Sequence, residues 1–313
     1  INSSYNPSII IDLGSNVLDA ATVETSASIF QKNIIRNKHC LFFNLTDIEV
    51  KESKLTELIS QSDIVSSSIV YNKSLILFEG LPDSSFSYEI DTNVLNLFTE
   101  NSKLEGEFAK ACAGMTTLDN ERFVRLHWEA PLESKKWVPF VKGGSGLKFY
   151  QELSLSVNWS DNGKELKAKA EAYGGAASRF IANEGFYFRE GLTYPRVGSS
   201  FSVRFLPPGC IFAEKGISIF PNVDSYNNEH LWALLGFLNS ILAEKLVELS
   251  SPGRFWESGS VNRLPFNMKY LTPQLSGLAK KGYLSSKSLY QSDETSRIFI
   301  SPEVKDKTNG LPA

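Results

Sequence analysis

The sequence predicts an α+β protein: a mainly β region with flanking helices, preceded by the last strands of an α/β sheet. Three observations carry this. Short, fully apolar runs lie near the N-terminus, as in strands covered on both faces. From Phe123 to about Phe220, short β-like runs are separated by glycines. From Leu231 to Leu249, Leu231, Leu234, Leu235, Leu238, Ile241, Leu242 and Leu246 follow helical spacing.

Taken in order, Ile9-Ile10-Ile11-Asp12-Leu13-Gly14 reads as a buried strand stopped by glycine. Thr22 to Phe30 alternates in part, and Cys40 to Leu45 is a third strand. Lys51 to Ser62 sets Leu55, Leu58 and Ile59 on one helical face. Tyr88 to Phe108 predicts a helix around Val94–Phe98, then a polar break. Ser251-Pro252-Gly253 ends the Leu231–Leu249 helix. Thr272 to Lys307 is serine-rich, with helical fragments at most expected, and the last ten residues are expected to be disordered. These readings divide the chain into 1–50, a helical connector over 51–117, a mainly β domain over 118–270 and a polar segment over 271–313.

The chain has 313 residues and a net charge of −3. That total hides an asymmetry. Residues 1–121 carry 8 Lys and Arg against 17 Asp and Glu, whereas residues 122–215 carry 14 against 9. A local basic excess can meet phosphate even in an acidic chain. No apolar run is long enough to cross a membrane as a helix. Cys40, Cys112 and Cys210 are widely spaced and odd in number, which predicts buried reduced thiols and a cytoplasmic setting.

Self-contained chemistry is hard to find. There is no Walker loop, and Gly143-Gly144-Ser145-Gly146 reads as a mobile turn. His39, His127 and His230 have no metal-ligand spacing, Cys-x-x-Cys is missing, and so is a Gly-x-Ser-x-Gly elbow. No catalytic or metal-binding residue is therefore assigned. The cations and aromatics of residues 118–220 suit a surface that tracks phosphates and touches bases. Lys135, Lys136, Lys142, Lys148, Arg179, Arg189 and Arg196 are candidates for phosphate or guanine contacts. Tyr194, Ser199 and Ser200 are candidates for base-edge or shape contacts. Lys142 is the favoured phosphate contact, and Arg196, after Tyr194-Pro195, the favoured base contact. Arg122, Arg125 and Arg204 sit in apolar β context and fit structural ion pairs equally well. Trp128, Trp137 and Trp159 read as core.

Several segments carry a family resemblance. Leu118-Asp119-Asn120-Glu121-Arg122-Phe123-Val124-Arg125 resembles the segment that opens the target-recognition region of large adenine-specific DNA methyltransferases. Trp137 to Gly144, then Val157-Asn158-Trp159-Ser160-Asp161-Asn162-Gly163, resembles the PglX methyltransferases of BREX phage-defence systems. Gly191-Leu192-Thr193-Tyr194 with Phe201-Ser202-Val203-Arg204, and Leu234-Leu235-Gly236-Phe237-Leu238-Asn239-Ser240, are similar to later segments of that family in the same order. Tyr194 departs from the commoner tryptophan, and Leu147-Lys148-Phe149-Tyr150 matches only loosely. Single-chain type II restriction–methylation enzymes are similar in this architecture.

The resemblance implies a function. Residues 1–50 would be the closing strands of an α/β methyltransferase sheet, and 118–270 a DNA target-recognition domain. The parent would methylate adenine at N6 with S-adenosylmethionine on a flipped base. The chain holds neither the cofactor loop nor an Asn-Pro-Pro-Tyr tetrapeptide, since Pro207-Pro208 lies between Leu206 and Gly209. No cofactor is expected in this chain. The implied partners are double-stranded DNA, an upstream methyltransferase domain and other defence subunits, with no membrane. The rival reading is an assembly module that docks partner subunits without reading bases.

Overall fold

Alternation along the apolar strands builds the first of two units, Ile1–Asn101 and Ser102–Ala313. The computed structural model describes residues 5–18, 21, 23–32, 39–81, 86–131, 135–222, 227–251 and 255–302. In the first unit β1 (Tyr5–Gly14) lies antiparallel to β2 (Thr25–Lys32) and parallel to β3 (His39–Asn44). After α1 (Lys51–Ser60), β4 (Val70–Ser74) joins the far side of β3, giving the order β2-β1-β3-β4.

Successive side chains of a strand point to opposite faces. Ile9, Ile11, Leu41 and Phe43 pack with Leu55 and Leu58 of α1. Ile10, Cys40 and Phe42 instead meet Phe78 of α2 (Ile76–Glu79), Tyr88 and Leu95 of α3 (Thr92–Glu100). Phe42 and Tyr88 stack with centroids 4.9 Å apart. The unbroken apolar runs follow, because both faces of β3 are covered. The expected strands and α1 stand near their anticipated positions. The helical connector does not, since β4 completes the first sheet and a strand of the second unit starts by Ala109. Polar Asn72 and Lys73 hid β4 from a reading by apolar runs.

The second unit opens with β5 (Ser102–Lys103), α4 (Leu104–Glu107), β6 (Ala109–Cys112) and α5 (Asn120–Phe123). Then come β7 (Val124–Leu126), β8 (Trp137–Val141), β9 (Leu155–Asn158) and α6 (Ser160–Gly174). They are followed by β10 (Gly191–Pro195), β11 (Arg204–Leu206), β12 (Ile211–Phe212) and β13 (Gly216–Pro221). The unit continues with α7 (Asn228–Leu238), α8 (Ile241–Ser250), α9 (Ser258–Asn262), β14 (Pro265–Phe266) and α10 (Pro273–Ser288). One sheet has the order β11-β10-β13-β6 and another β12-β8-β9-β7, while β14 pairs with β5. Their shared core includes Phe140, Val157, Tyr187, Phe212 and Phe220.

Three features depart from the sequence reading. The mainly β stretch contains α6, opened by three left-handed residues, Asp161, Asn162 and Gly163. The Leu231–Leu249 helix is two helices bent by 71°. At the bend the Asn239 amide turns to Val203, accepting from its N–H at 3.0 Å and donating to its carbonyl at 2.8 Å. Ser240 then caps α8 by accepting from Ala243 N. Among the described residues no single helix is long and apolar enough to cross a membrane.

Third, the serine-rich segment forms α10, capped by Thr272 with proline in its first turn. The segment beyond α10 docks through Arg297, which donates to the Leu153 carbonyl at 2.6 Å and the Leu155 carbonyl at 3.1 Å. The expectation of disorder at the last ten residues lies outside the described residues. All three cysteines are buried and free, as expected.

Sheet margins are closed locally. At Ala111 on edge strand β6, the Asn262 side chain accepts from the N–H at 2.7 Å and donates to the carbonyl at 3.0 Å. On the other side Phe149 N donates to the Val203 carbonyl at 2.9 Å, and Phe205 N to the Phe149 carbonyl at 3.0 Å.

His127 starts a short 3-10 turn, with its buried Nδ1 lacking a partner. Burial, then the nearby Arg297 charge, holds its pKa below the usual 6.5. A histidine with a depressed folded pKa takes up its proton first in the unfolded state. Wild-type stability is therefore expected to fall as pH drops from about 6.5 towards the depressed value, and to level off below it. Urea unfolding across pH 5–8 checks this, read as the difference between wild type and His127→Gln. A difference that does not change with pH would refute it.

Candidate nucleic-acid interface

Lys142 follows directly on β8, whose preceding residues Phe140 and Val141 are buried. Lys215 sits in the turn between β12 and β13, where the Ala213 N–H donates to the Val141 carbonyl at 2.8 Å. These anchors bring the two lysines to one cleft of about 240 Å³, also lined by Thr116, Thr117, Leu118 and Asn120. Leu118 holds a left-handed backbone, φ 59°, a conformation that costs a non-glycine residue energy and often marks a functional site.

Electrostatically this cleft is unbalanced. Neither lysine makes an ion pair among the described residues. Burial, then the neighbouring Lys215, keeps the Lys142 pKa below its ordinary value. Glu214 also lines the cleft, but its carboxylate accepts from Thr116 Oγ1 at 2.8 Å and pairs with Arg196 at 2.6 Å. Two lysines that make no ion pair among the described residues favour an oxyanion such as a phosphate.

The other sequence candidates are scattered. Lys135 and Lys136 are exposed just before β8, with the Lys136 ammonium 5.8 Å from the Trp137 ring centre. Arg179 is exposed and covers the Phe180 ring at 5.6 Å. Ser199 is exposed and Ser200 half-buried, beside the loop that carries Gly146.

One candidate needs correction, and three are engaged within the chain. Tyr194 is completely buried, edge-on to Phe201 at 5.2 Å, so it cannot touch a base. Arg196 is engaged, its guanidinium held by Glu257 at 2.8 Å as well as by Glu214. Lys148 donates to the Asn239 carbonyl at 3.2 Å and meets Glu244 at 3.5 Å. Arg189 lies over Phe186 and Phe220 and donates to the Pro221 carbonyl.

Among the structural arginines, Arg122 pairs with Glu165, and Arg125 binds backbone carbonyls instead. Arg204 is buried on neutral acceptors, with no ion pair among the described residues. They include the carbonyls of Gly143 and Ser145, so that glycine turn is anchored rather than loose. Trp137 and Trp159 are largely covered, but Trp128 is 56% exposed.

Lys215 was missed as a site residue. Its signal was the polar Glu214-Lys215-Gly216 interruption between two apolar runs, which marks a turn but not the partner across it.

Comparison with known proteins places these observations. No family model matches the chain. It is 28% identical over 291 residues to the adenine-specific methyltransferase PglX of Lacticaseibacillus casei (strain Zhang), covering 88% of this chain and 24% of that protein. It is 26% identical over 295 residues to the adenine-specific methyltransferase BrxX of Escherichia coli O9:H4 (strain HS), covering 90% and 22%. The chain thus spans about a quarter of the length of these curated relatives.

Two solved structures are also similar. The type IIG restriction endonuclease BpuSI matches at 12% identity and a TM-score of 0.39, over 88% of this chain and 38% of that one. The type IIL restriction-modification enzyme MmeI, solved in complex with DNA, matches at 14% and 0.47, over 93% and 39%.

Proposed function

We propose that this chain supplies DNA sequence recognition to an adenine-specific N6 methyltransferase of a phage-defence or restriction–modification system. The relatives are adenine methyltransferases over nine-tenths of this chain. The observation that carries the DNA reading is the Lys142–Lys215 cleft, whose lysines make no ion pair among the described residues. Lysines there would neutralise backbone phosphate and set the register, while Lys135, Lys136, Arg179 and Ser199, exposed elsewhere on the second unit, would supply further contacts.

The cofactor S-adenosylmethionine belongs to the parent enzyme in this reading. Asp12, the carboxylate at the end of β1, has both oxygens engaged, Oδ2 by Tyr88 Oη at 3.0 Å and Oδ1 by Gly14 N at 3.2 Å, and is not offered to it.

The test is duplex affinity of the parent enzyme carrying Lys142→Ala with Lys215→Ala, at two salt concentrations. Each lost phosphate contact lowers the salt slope by about 1, so the pair is expected to lower it by about 2. Cognate and scrambled duplexes should weaken alike. Unchanged binding to both would remove the DNA reading from this cleft.

The assembly reading has one observation in its favour. Edge strand β2 leaves Ile29 54% and Phe30 59% exposed. Polar replacement of both would then release partner subunits without changing duplex affinity.

A further inference from the structure

Arg204 stands on β11 at 2% exposure, and no carboxylate pairs with it among the described residues. Its Nη1 donates to the Ser145 carbonyl at 3.0 Å and to Gln151 Oε1, and its Nη2 to the Gly143 carbonyl at 3.1 Å. All three acceptors are neutral. Burial pushes the guanidinium pKa down to about 10, where it remains charged at neutral pH. A buried charge is costly unless an opposite charge meets it.

Beside this guanidinium lies a cavity of about 200 Å³, lined also by Lys142, Gly144, Ser154 and Thr193. Lys142 brings a second cation without an ion pair, and burial disfavours its charge too. The lining carboxylate, Glu152, keeps its charge but makes no ion pair with Arg204 or Lys142, and neutral donors hold it in place. It accepts from Tyr150 Oη and Ser296 Oγ at 2.8 Å each, and from Arg297 N at 2.9 Å. Close to Arg204 the wall is the Gly143–Gly144 backbone and the Gln151 amide, packed so closely that a Cβ on Gly144 would lie 2.1 Å from Gln151 Oε1 and 2.5 Å from Arg204 Nη1.

We propose that this cavity is an oxyanion site, in which Arg204 and Lys142 bind a phosphate- or sulfate-type group. The group is either a free anion or a phosphodiester of DNA. The site is argued from the missing ion pair of Arg204; it shares Lys142 with the Lys142–Lys215 cleft, whereas Arg204 and Gln151 line this cavity and not that cleft.

Gln151→Glu tests it by supplying an internal counter-charge where Gln151 Oε1 already accepts from Arg204. Calorimetric titration of the full chain with inorganic phosphate at low ionic strength is expected to show one saturable site. Gln151→Glu should weaken it at least tenfold and raise the melting temperature. Lys142→Gln should weaken it as well, whereas Lys164→Gln, exposed on α6, should not.

Competition with a short duplex separates the sources. Displacement of phosphate assigns the site to a phosphodiester, and simultaneous binding assigns it to a free anion. Wild type that takes up no phosphate saturably, with duplex affinity unchanged by Gln151→Glu, overturns the proposal. So does phosphate affinity that is equal in wild type and Gln151→Glu. If Gln151→Glu fails to fold, the Lys142→Gln and Lys164→Gln pair decides, and equal phosphate affinity in both overturns it. The DNA reading fails on a different result, an unaltered salt slope in the Lys142–Lys215 double variant.

Discussion

Replacement of Gly114 by alanine is expected to prevent residues 102–302 from folding. A Cβ at this position would lie 1.9 Å from the Phe212 carbonyl oxygen, well inside contact distance. The clash is with backbone, so no side-chain rotation relieves it. Met115 N donates to that same oxygen at 3.0 Å, Gly114 N to the Ala213 carbonyl at 3.2 Å and Glu214 N to the Met115 carbonyl at 3.0 Å. Alanine must push the two segments apart and break this set. The cost belongs to the exceptional class of more than ~4 kcal/mol. Soluble yield and urea unfolding measure it, with Gly106→Ala as the control. No atom stands within 4 Å of a Cβ at Gly106, and that substitution should stay within about 0.5 kcal/mol of wild type. A Gly114→Ala protein that unfolds with the wild-type midpoint would show that the two segments are not in contact.

Tyr194 gives the second large effect, and it comes as a pair of opposite signs. The ring is completely buried in β10, so Tyr194→Ala is expected to cost about 3–5 kcal/mol. Its hydroxyl, however, has no hydrogen-bond partner among the described residues. A buried unsatisfied hydroxyl carries a desolvation penalty of about 1–3 kcal/mol. Tyr194→Phe removes that group and keeps the ring, so it should match wild type or exceed it by ~1 kcal/mol. Equilibrium unfolding of the two variants supplies the measurement. Were Tyr194 on a DNA-facing surface, both variants would keep wild-type stability and lose duplex affinity instead.

This contrast also shows what residue identity can and cannot reveal. The strands of the first sheet were legible because Ile9–Leu13 and Cys40–Leu45 are apolar on both faces, and only a doubly covered strand needs that. Helix α1 was legible from Leu55 and Leu58. The α7–α8 bend was not, because leucine spacing runs straight through it while the Asn239 amide, turned to Val203, redirects the chain. Helix α10 was hidden by its serines; it buries Ser276 and Ala279 and packs through Tyr283 against Phe205 and Trp232.

For the site, Lys142 could be chosen because a lysine after an apolar strand and before Gly-Gly is placed at a strand end. Tyr194 and Arg196 misled for one reason. A tyrosine or an arginine has the same chemistry in a core or an ion pair as on a surface. What decides is a partner distant in sequence, such as Glu257 for Arg196. Lys215 was not legible for the complementary reason, since only the fold brings it to the same cleft as Lys142.

The amide clasp of Asn262 on Ala111 reaches beyond fold maintenance. An unpaired strand margin is a template on which foreign backbone can polymerise. Here the exposed peptide of β6 is answered by a side chain that mimics another peptide, and the opposite margin is answered by Phe149. Foreign backbone therefore finds no open peptide at Ala111, and this point of the margin offers no template for polymerisation.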